Sequence, residues 1–428
     1  MARPLLAVIF GTFTLRLATG LTGGALVYYL NDLDKYGGPT ADALTVAAFS
    51  ALFYAAELIG SPLFGVLSDR IGHRRVMLIG PAFGAVAVAI TAFSTNLLVL
   101  GGTRVLEGMS TAASVPSILG FIAFATAGDD GLRGRATARF EAATLAGLMG
   151  GFVLSGLLFP ILGPGVFLLN ALLYGVSFLT YRFGVPEDAD PPAHPEQGVH
   201  GVAALRRYGK ILVGSHVWLL APTWIAINAT LGLFTSATLF QLVNKPDPKF
   251  SDQWLMGGLS PQLVSVGLAV GGLLFFAGIF YWGRRFTSMR RTTIIFYGIC
   301  GGATLLVAGF AINHAADLSP IVPIALAVVA IAGLFVLAGA TPAAIGLLAD
   351  VTEAYPDDRG AIMGLYSVFL GLGQILGAIV GGIAAQTWGL DGIFGVALVM
   401  LGIALLPLSQ LRHYEHFVAG RPATMDAA

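Results

Sequence analysis

The chain has 428 residues, of which 56% are hydrophobic and 11% charged, against roughly a quarter charged in an ordinary water-soluble domain. Its 23 Lys and Arg balance 23 Asp and Glu, and it carries one cysteine, so a soluble multidomain protein, a nucleic-acid binder drawing on a basic field and a multi-cysteine metal centre are excluded. A mean hydropathy of +0.82 makes lipid the solvent for most of the chain.

Taken in order, Arg3 is followed by an apolar run from Leu5 to Leu30, interrupted by Arg16; no small-residue cleavage site stands at the usual distance, and the run reads as a retained first span. Eleven more runs follow at 43–67, 76–94, 97–127, 137–160, 166–184, 216–243, 259–282, 292–312, 320–348, 361–386 and 392–410. Backbone amides in hydrocarbon must be satisfied within their own segment, so runs this long and rich in Gly, Ala and Leu are predicted to be helices. Pro39, Pro164, Pro246, Pro320 and Pro356 fall between runs, whereas Pro116, Pro222 and Pro342 fall inside them as candidate kinks. Cys300 lies in an apolar run and reads as core filler.

Sidedness follows from the basic residues, which are retained on the cytoplasmic side. One face collects 18 of them and the other has Lys35, Lys245 and Lys249, while Arg16 and Arg104 lie inside spans. An even number of spans with this bias places both termini in the cytoplasm. The polar, proline-rich stretch at 185–215 divides the chain into six-span bundles at 1–184 and 216–410, with a tail at 411–428. Similar loops, Asp129-Asp130-Gly-Leu-Arg133-Gly134 and Asp357-Asp358-Arg359-Gly360, precede spans five and eleven and support a six-plus-six duplication.

Between spans two and three stands Gly65-Val-Leu-Ser-Asp69-Arg70-Ile-Gly72-His-Arg74-Arg75, and span four contains Arg104-Val-Leu-Glu107-Gly108. The first resembles the signature loop of the major facilitator superfamily, and the second resembles that family's span-four motif with Glu107 where Gln is commoner. The resemblance implies twelve helices in two pseudo-symmetric bundles, an all-α membrane protein with a central site exposed alternately to each side. It also implies that Gly65, Asp69, Arg70, Gly72 and Arg74 form a conformational latch against span eleven. A topogenic basic loop without gating is the plainer alternative.

Charges at membrane depth are functional candidates. Arg16 and Glu57 lie near mid-bilayer and are expected to pair; Arg104 and Glu107, three apart on one helical face, form a second expected pair. These four are candidate proton-coupling groups, or else permanent ion pairs that set helix register. Glu141, beside Arg139, reads as interfacial. The second half has no charge at mid-depth; Trp224, Asn228, Gln262 and Gln374 are its candidate cavity residues, which suits an amphipathic organic substrate. Glycines at 373, 377 and 381 form a stripe for close helix packing, and span five has Gly147, Gly150 and Gly151 but lacks the Gly-Pro pair of the family's antiporters.

The expectation is thus a monomeric secondary transporter of a bacterial plasma membrane, exporting a small amphipathic compound coupled to protons, with no cofactor or metal and no nucleic-acid partner; the missing Gly-Pro pair leaves symport and facilitated movement open beside antiport. Proton-coupled uptake, and a non-transporting assembly factor or receptor on the same fold, are the alternatives. No nucleophile with a base suggests an enzyme.

Overall fold

The computed structural model describes residues 3–126, 129–186, 217–354 and 359–415, helical almost throughout and with no strand among them. Two compact units emerge: residues 1–198 with 259–269, and residues 199–258 with 270–428.

In the first unit α1 (Arg3–Asn31), α2 (Ala43–Ile71), α3 (His73–Phe93), α4 (Leu97–Ala125), α5 (Asp130–Leu162) and α6 (Gly165–Gly184) run in sequence. Side-chain caps start several of them: Asp42 accepts from the Thr45 amide at 2.8 Å, Asn96 from Leu98 at 2.8 Å, and Asp129 from Leu132 at 2.8 Å. The Asp129 cap moves the start of α5 to Asp130, seven residues before the expected 137. Within α1, Thr12, Thr19 and Thr22 return their hydroxyls to carbonyls four residues back, which keeps polar groups satisfied in an apolar setting. Glycine lets α1 and α5 touch backbone to backbone: Gly20 lies against Leu148, Gly151 against Leu17, and Gly147 against Phe13 and the stem of Arg16. Leu5, Val8, Met77, Phe121, Phe140 and Tyr181 form a closed apolar core among α1, α3, α4, α5 and α6.

The second unit is built from α7 (Val217–Leu233), a π turn at Phe234–Thr238, α8 (Leu239–Val243), most of α9 (Pro261–Gly283), α10 (Arg291–Asn313), α11 (Ile321–Leu337), α12 (Ala340–Ala354), α13 (Arg359–Leu405) and α14 (Leu408–Tyr414). It repeats the pairings of the first: α1 with α5 is matched by α7 with α13, and α3 with α4 by α10 with α11. The expected glycine stripe lies in the α7–α13 seam, with Gly373 against Asn228 and Ile225, Gly377 against Ala229, and Gly381 against Leu233.

Among the described residues, ten helices are long and apolar enough to cross a bilayer, and Trp218–Leu233 is a shorter apolar helix. One of the ten, Val368–His413, has 46 residues; at 1.5 Å per residue it would run roughly 69 Å, about twice a hydrocarbon core. Gly389, with φ 65° and ψ −143°, breaks it into two crossings, so twelve spans are accounted for. Gln253 holds that break by donating to the Trp388 carbonyl at 2.9 Å and accepting from the Leu390 amide at 2.9 Å. Asn313 and His314 hold Asp391 beside it, at 2.9 Å each.

Two expectations change. The run at 320–348 is broken after Leu337, and Pro342 stands in the first turn of α12, where a missing amide hydrogen costs nothing; it ends up beside a break instead of making a kink. Cys300 is exposed on α10 and does not fill a core. The 185–215 connection lies outside the described residues apart from 185–186, as do Asp357 and Asp358 of the second repeated loop.

Candidate functional site: an ionic belt in the first unit

Residues 104 and 107 fall on one side of α4 because three residues nearly complete a helical turn. The Arg104 guanidinium pairs with Glu107 Oε2, and the two side chains are 8% and 2% exposed. Phe53 of α2 lies under the guanidinium, its ring centroid 4.7 Å from Cζ. Thr22 on α1 and Tyr174 on α6 lie close to the same carboxylate. Asn170 Nδ2 donates to Thr22 Oγ1 at 2.6 Å and to the Ala18 carbonyl at 2.9 Å, which orients that threonine. Three helices therefore converge on one sealed ion pair.

Arg16 behaves differently. It forms no hydrogen bond or ion pair with Glu57 among the described residues; its charge is shared, acting on Glu57 of α2 and on Glu141 of α5. Tyr54 links this group to the first, lying within the fields of Glu57, Arg104 and Arg16. Arg16, Glu57 and Glu141 are not sealed: the first two are half-buried and Glu141 is exposed. The belt thus has a closed half, neutral by pairing, and an open half in which one guanidinium's charge acts on two carboxylates.

Glu141 is the member that sequence reasoning placed at the interface. With α5 starting at Asp130, Glu141 stands eleven residues into the helix, roughly 16 Å along its axis. Asp129, followed three residues later by Leu132, was the available signal, since an N-cap residue marks a helix start. Thr22, Asn170 and Tyr174 were not named from the sequence, because nothing in their local sequence says that helix packing brings them together.

In the basic loop, Gly72 takes φ 99° and joins α2 directly to α3, a conformation that favours glycine. Gly65 faces Pro116 of α4, a Cβ there standing 3.7 Å from Pro116 Cβ. Arg74 is buried and donates from Nη2 to the Arg182 carbonyl at 2.8 Å, satisfying the end of α6. Arg70 is exposed, and the side chain of Asp69 lies outside the described residues. In the second unit Trp224, Asn228 and Gln374 are buried, Asn228 and Gln374 at the α7–α13 seam against Gly373 and Gly232, with Asn228 Nδ2 donating to the Trp224 carbonyl at 2.8 Å. Gln262 is exposed in the first turn of α9, in the segment that groups with the first unit. Asp252, His314 and Asp391 bring ligand atoms within 4.8 Å of one another, but His314 and Asp391 already satisfy each other.

An all-helical, multiply spanning chain with charges concentrated in a few central positions defines a polytopic membrane protein. The model of the Major Facilitator Superfamily matches residues 8–258 and 250–416, and the chain belongs to that family. Its long apolar helices make it a multi-pass protein of a lipid bilayer. It is 32% identical over 123 residues to the quinolone resistance protein NorA of Staphylococcus aureus, a match covering 29% of this chain and 30% of that protein. It is 28% identical over 276 residues to the class C tetracycline resistance protein of Escherichia coli, covering 63% and 64% of the two chains. Neither match reaches two thirds of the relative's length. Among solved structures, the nucleoside transporter NupG superposes with a TM-score of 0.64 at 15% identity over 96% of this chain and 100% of that one. A POT family transporter in complex with a thioalcohol-conjugated peptide gives 0.70 at 14% identity, covering 97% of each.

Proposed function

We propose that this transporter exports a small amphipathic organic compound across a bacterial plasma membrane, in exchange for protons and by alternating access. Its working bodies are the bundles at 1–184 and 216–410, joined by 185–215, with the 411–428 tail and the N-terminus both in the cytoplasm and the chain acting as a monomer. The reading rests on one observation: the charge of half-buried Arg16 acts on both Glu57 and Glu141, neither of them sealed, while Arg104 and Glu107 form a sealed pair. A carboxylate that shares a guanidinium with a second carboxylate and reaches water can exchange a proton, and each exchange alters what Arg16 must neutralise. Glu57 and Glu141 are the proton carriers in this scheme, with Glu107 and Arg104 as the fixed wall that Tyr54 couples to them. Trp224, Asn228, Gln262 and Gln374 contribute the apolar, amide-bearing side of the substrate path, and Gly65, Asp69, Arg70, Gly72 and Arg74 the latch. Similarity to proteins named for quinolone and tetracycline resistance supports a multi-ring amphipathic substrate.

The test is flux in proteoliposomes under an imposed pH gradient, using a fluorescent amphipathic cation and a fluoroquinolone as probes. Gln at Glu57, Glu107 and Glu141, singly, is expected to abolish gradient-driven movement at 57 and 141 while leaving binding measurable. If all three variants pump as wild type, proton coupling through this belt is wrong. Movement of substrate along the proton gradient instead of against it would establish uptake.

A further inference from the structure

We infer that the basic end of α9 is a binding site for an anionic phospholipid, held at its phosphate by Arg284 and Arg285 and along its acyl chain by the face of α9 that precedes them. The face is a single stripe. Val270, Leu273, Ala277, Phe280 and Tyr281 recur at three- and four-residue spacing and are exposed, Leu273 by 72% and Phe280 by 70%. From 270 to 281 the stripe extends roughly 16 Å, about the depth of one hydrocarbon leaflet. It ends in an open cavity of about 520 Å³ lined by Ala277, Phe280, Tyr281, Arg284, Arg285 and Ser288.

The chemistry of that cavity is cationic with a phosphate's geometry in reach. Arg285 is pre-oriented: its Nη2 donates to the Tyr281 hydroxyl at 2.9 Å and its Cζ stands 5.0 Å from the centre of the Tyr281 ring. Neither arginine has an acidic partner among the described residues. Ser288, exposed one turn further on, adds a hydroxyl. Two guanidinium groups and a hydroxyl suit a phosphodiester, and an aromatic ring at the depth of the headgroups suits the interface.

The stripe cannot be turned inward. On the opposite side of α9, Trp282 is buried and donates from Nε1 to the Phe335 carbonyl at 3.1 Å. Gly278, also on that side, lets the helix approach so closely that an added Cβ would stand 2.6 Å from the same carbonyl. Rotation of α9 would break both contacts, so its outward face stays available to lipid.

The experiment uses the full chain purified in mild detergent, wild type beside the double variant Arg284→Gln/Arg285→Gln. A charge-matched control, Arg135→Gln/Arg412→Gln, removes two exposed arginines elsewhere. Binding is read by native mass spectrometry and by thermal shift against phosphatidylglycerol, phosphatidylcholine and glycerol-3-phosphate. Expected is one retained phosphatidylglycerol on wild type, weakened roughly thirtyfold in the double variant, the weight of two arginines at an anionic surface. The control should bind within about twofold of wild type by the same reasoning. A further variant, Phe280→Ser, should weaken phosphatidylglycerol without changing the response to glycerol-3-phosphate. Three outcomes overturn the assignment: equal loss in both double variants, which means diffuse attraction; equal binding of phosphatidylcholine; or glycerol-3-phosphate competing at phosphatidylglycerol's own concentration, which means a free-phosphate site.

Discussion

Replacing Arg104 alone, Glu107 alone, or both with apolar residues of similar volume separates what the pair does for stability from what it does for transport. Both side chains are more than nine-tenths buried, and at contact distance the attraction is about 4 kcal/mol at an effective dielectric near 20. Removing one partner forfeits that attraction and leaves the other charge stranded, a loss of about 3 to 5 kcal/mol. Arg104→Met and Glu107→Leu should each fall in that range. Replacing both removes the desolvation penalty along with the attraction, so the double variant should lie near wild type or up to about 4 kcal/mol above it. The coupling energy from the cycle should therefore reach about 6 kcal/mol or more, well beyond the few tenths expected of independent sites. The assay is reversible unfolding of purified protein in mixed micelles, titrated with a denaturing detergent. Additive single effects below about 1 kcal/mol each would refute the sealed-pair reasoning, because charges so insensitive to losing a partner must already be hydrated. A stable double variant that no longer transports would show that the pair is kept for movement.

Gly147→Ala should destabilise by about 1 to 3 kcal/mol, because the new Cβ would stand 2.6 Å from the Phe13 carbonyl oxygen and 2.9 Å from Arg16 Cβ. Gradient-driven flux should fall with it as Arg16 is displaced, while Gly175→Ala, with nothing within 4 Å, should match wild type in both unfolding and flux. Gly389→Ala forces a φ of 65° on an L residue and pushes a Cβ to 2.6 Å from Gln253 Oε1. A loss of about 1 to 3 kcal/mol is expected by the same unfolding assay, and a neutral result would mean that the turn relaxes freely. Glu415→Gln removes charge from a carboxylate that accepts from the Arg291 amide at 2.6 Å and the Thr292 hydroxyl at 2.5 Å. About 0.5 to 1 kcal/mol is expected by the helix-terminus charge effect, seen as faster amide exchange at the start of α10.

Much of the architecture was legible from residues alone. Spans, their number and the locations of Arg16, Glu57, Arg104 and Glu107 follow from the bilayer's intolerance of unsatisfied amides and unpaired charge, a constraint that acts on each segment whatever its neighbours do. Gly72 and the glycine stripe at 373, 377 and 381 were readable for a similar reason, since only a missing Cβ allows their turn and their close approach. Partner choice was not. Arg16 is brought against α5 because glycines there draw α1 onto it, and the Asp129 cap sets where α5 begins. Thr22 and Tyr174 come to the Arg104–Glu107 pair from α1 and α6, far away in the chain, and Asn170 of α6 holds Thr22. Helical periodicity assigns residues to a face, but only the packing of one helix on another decides which faces meet, and ionic pairing at short range depends on that meeting.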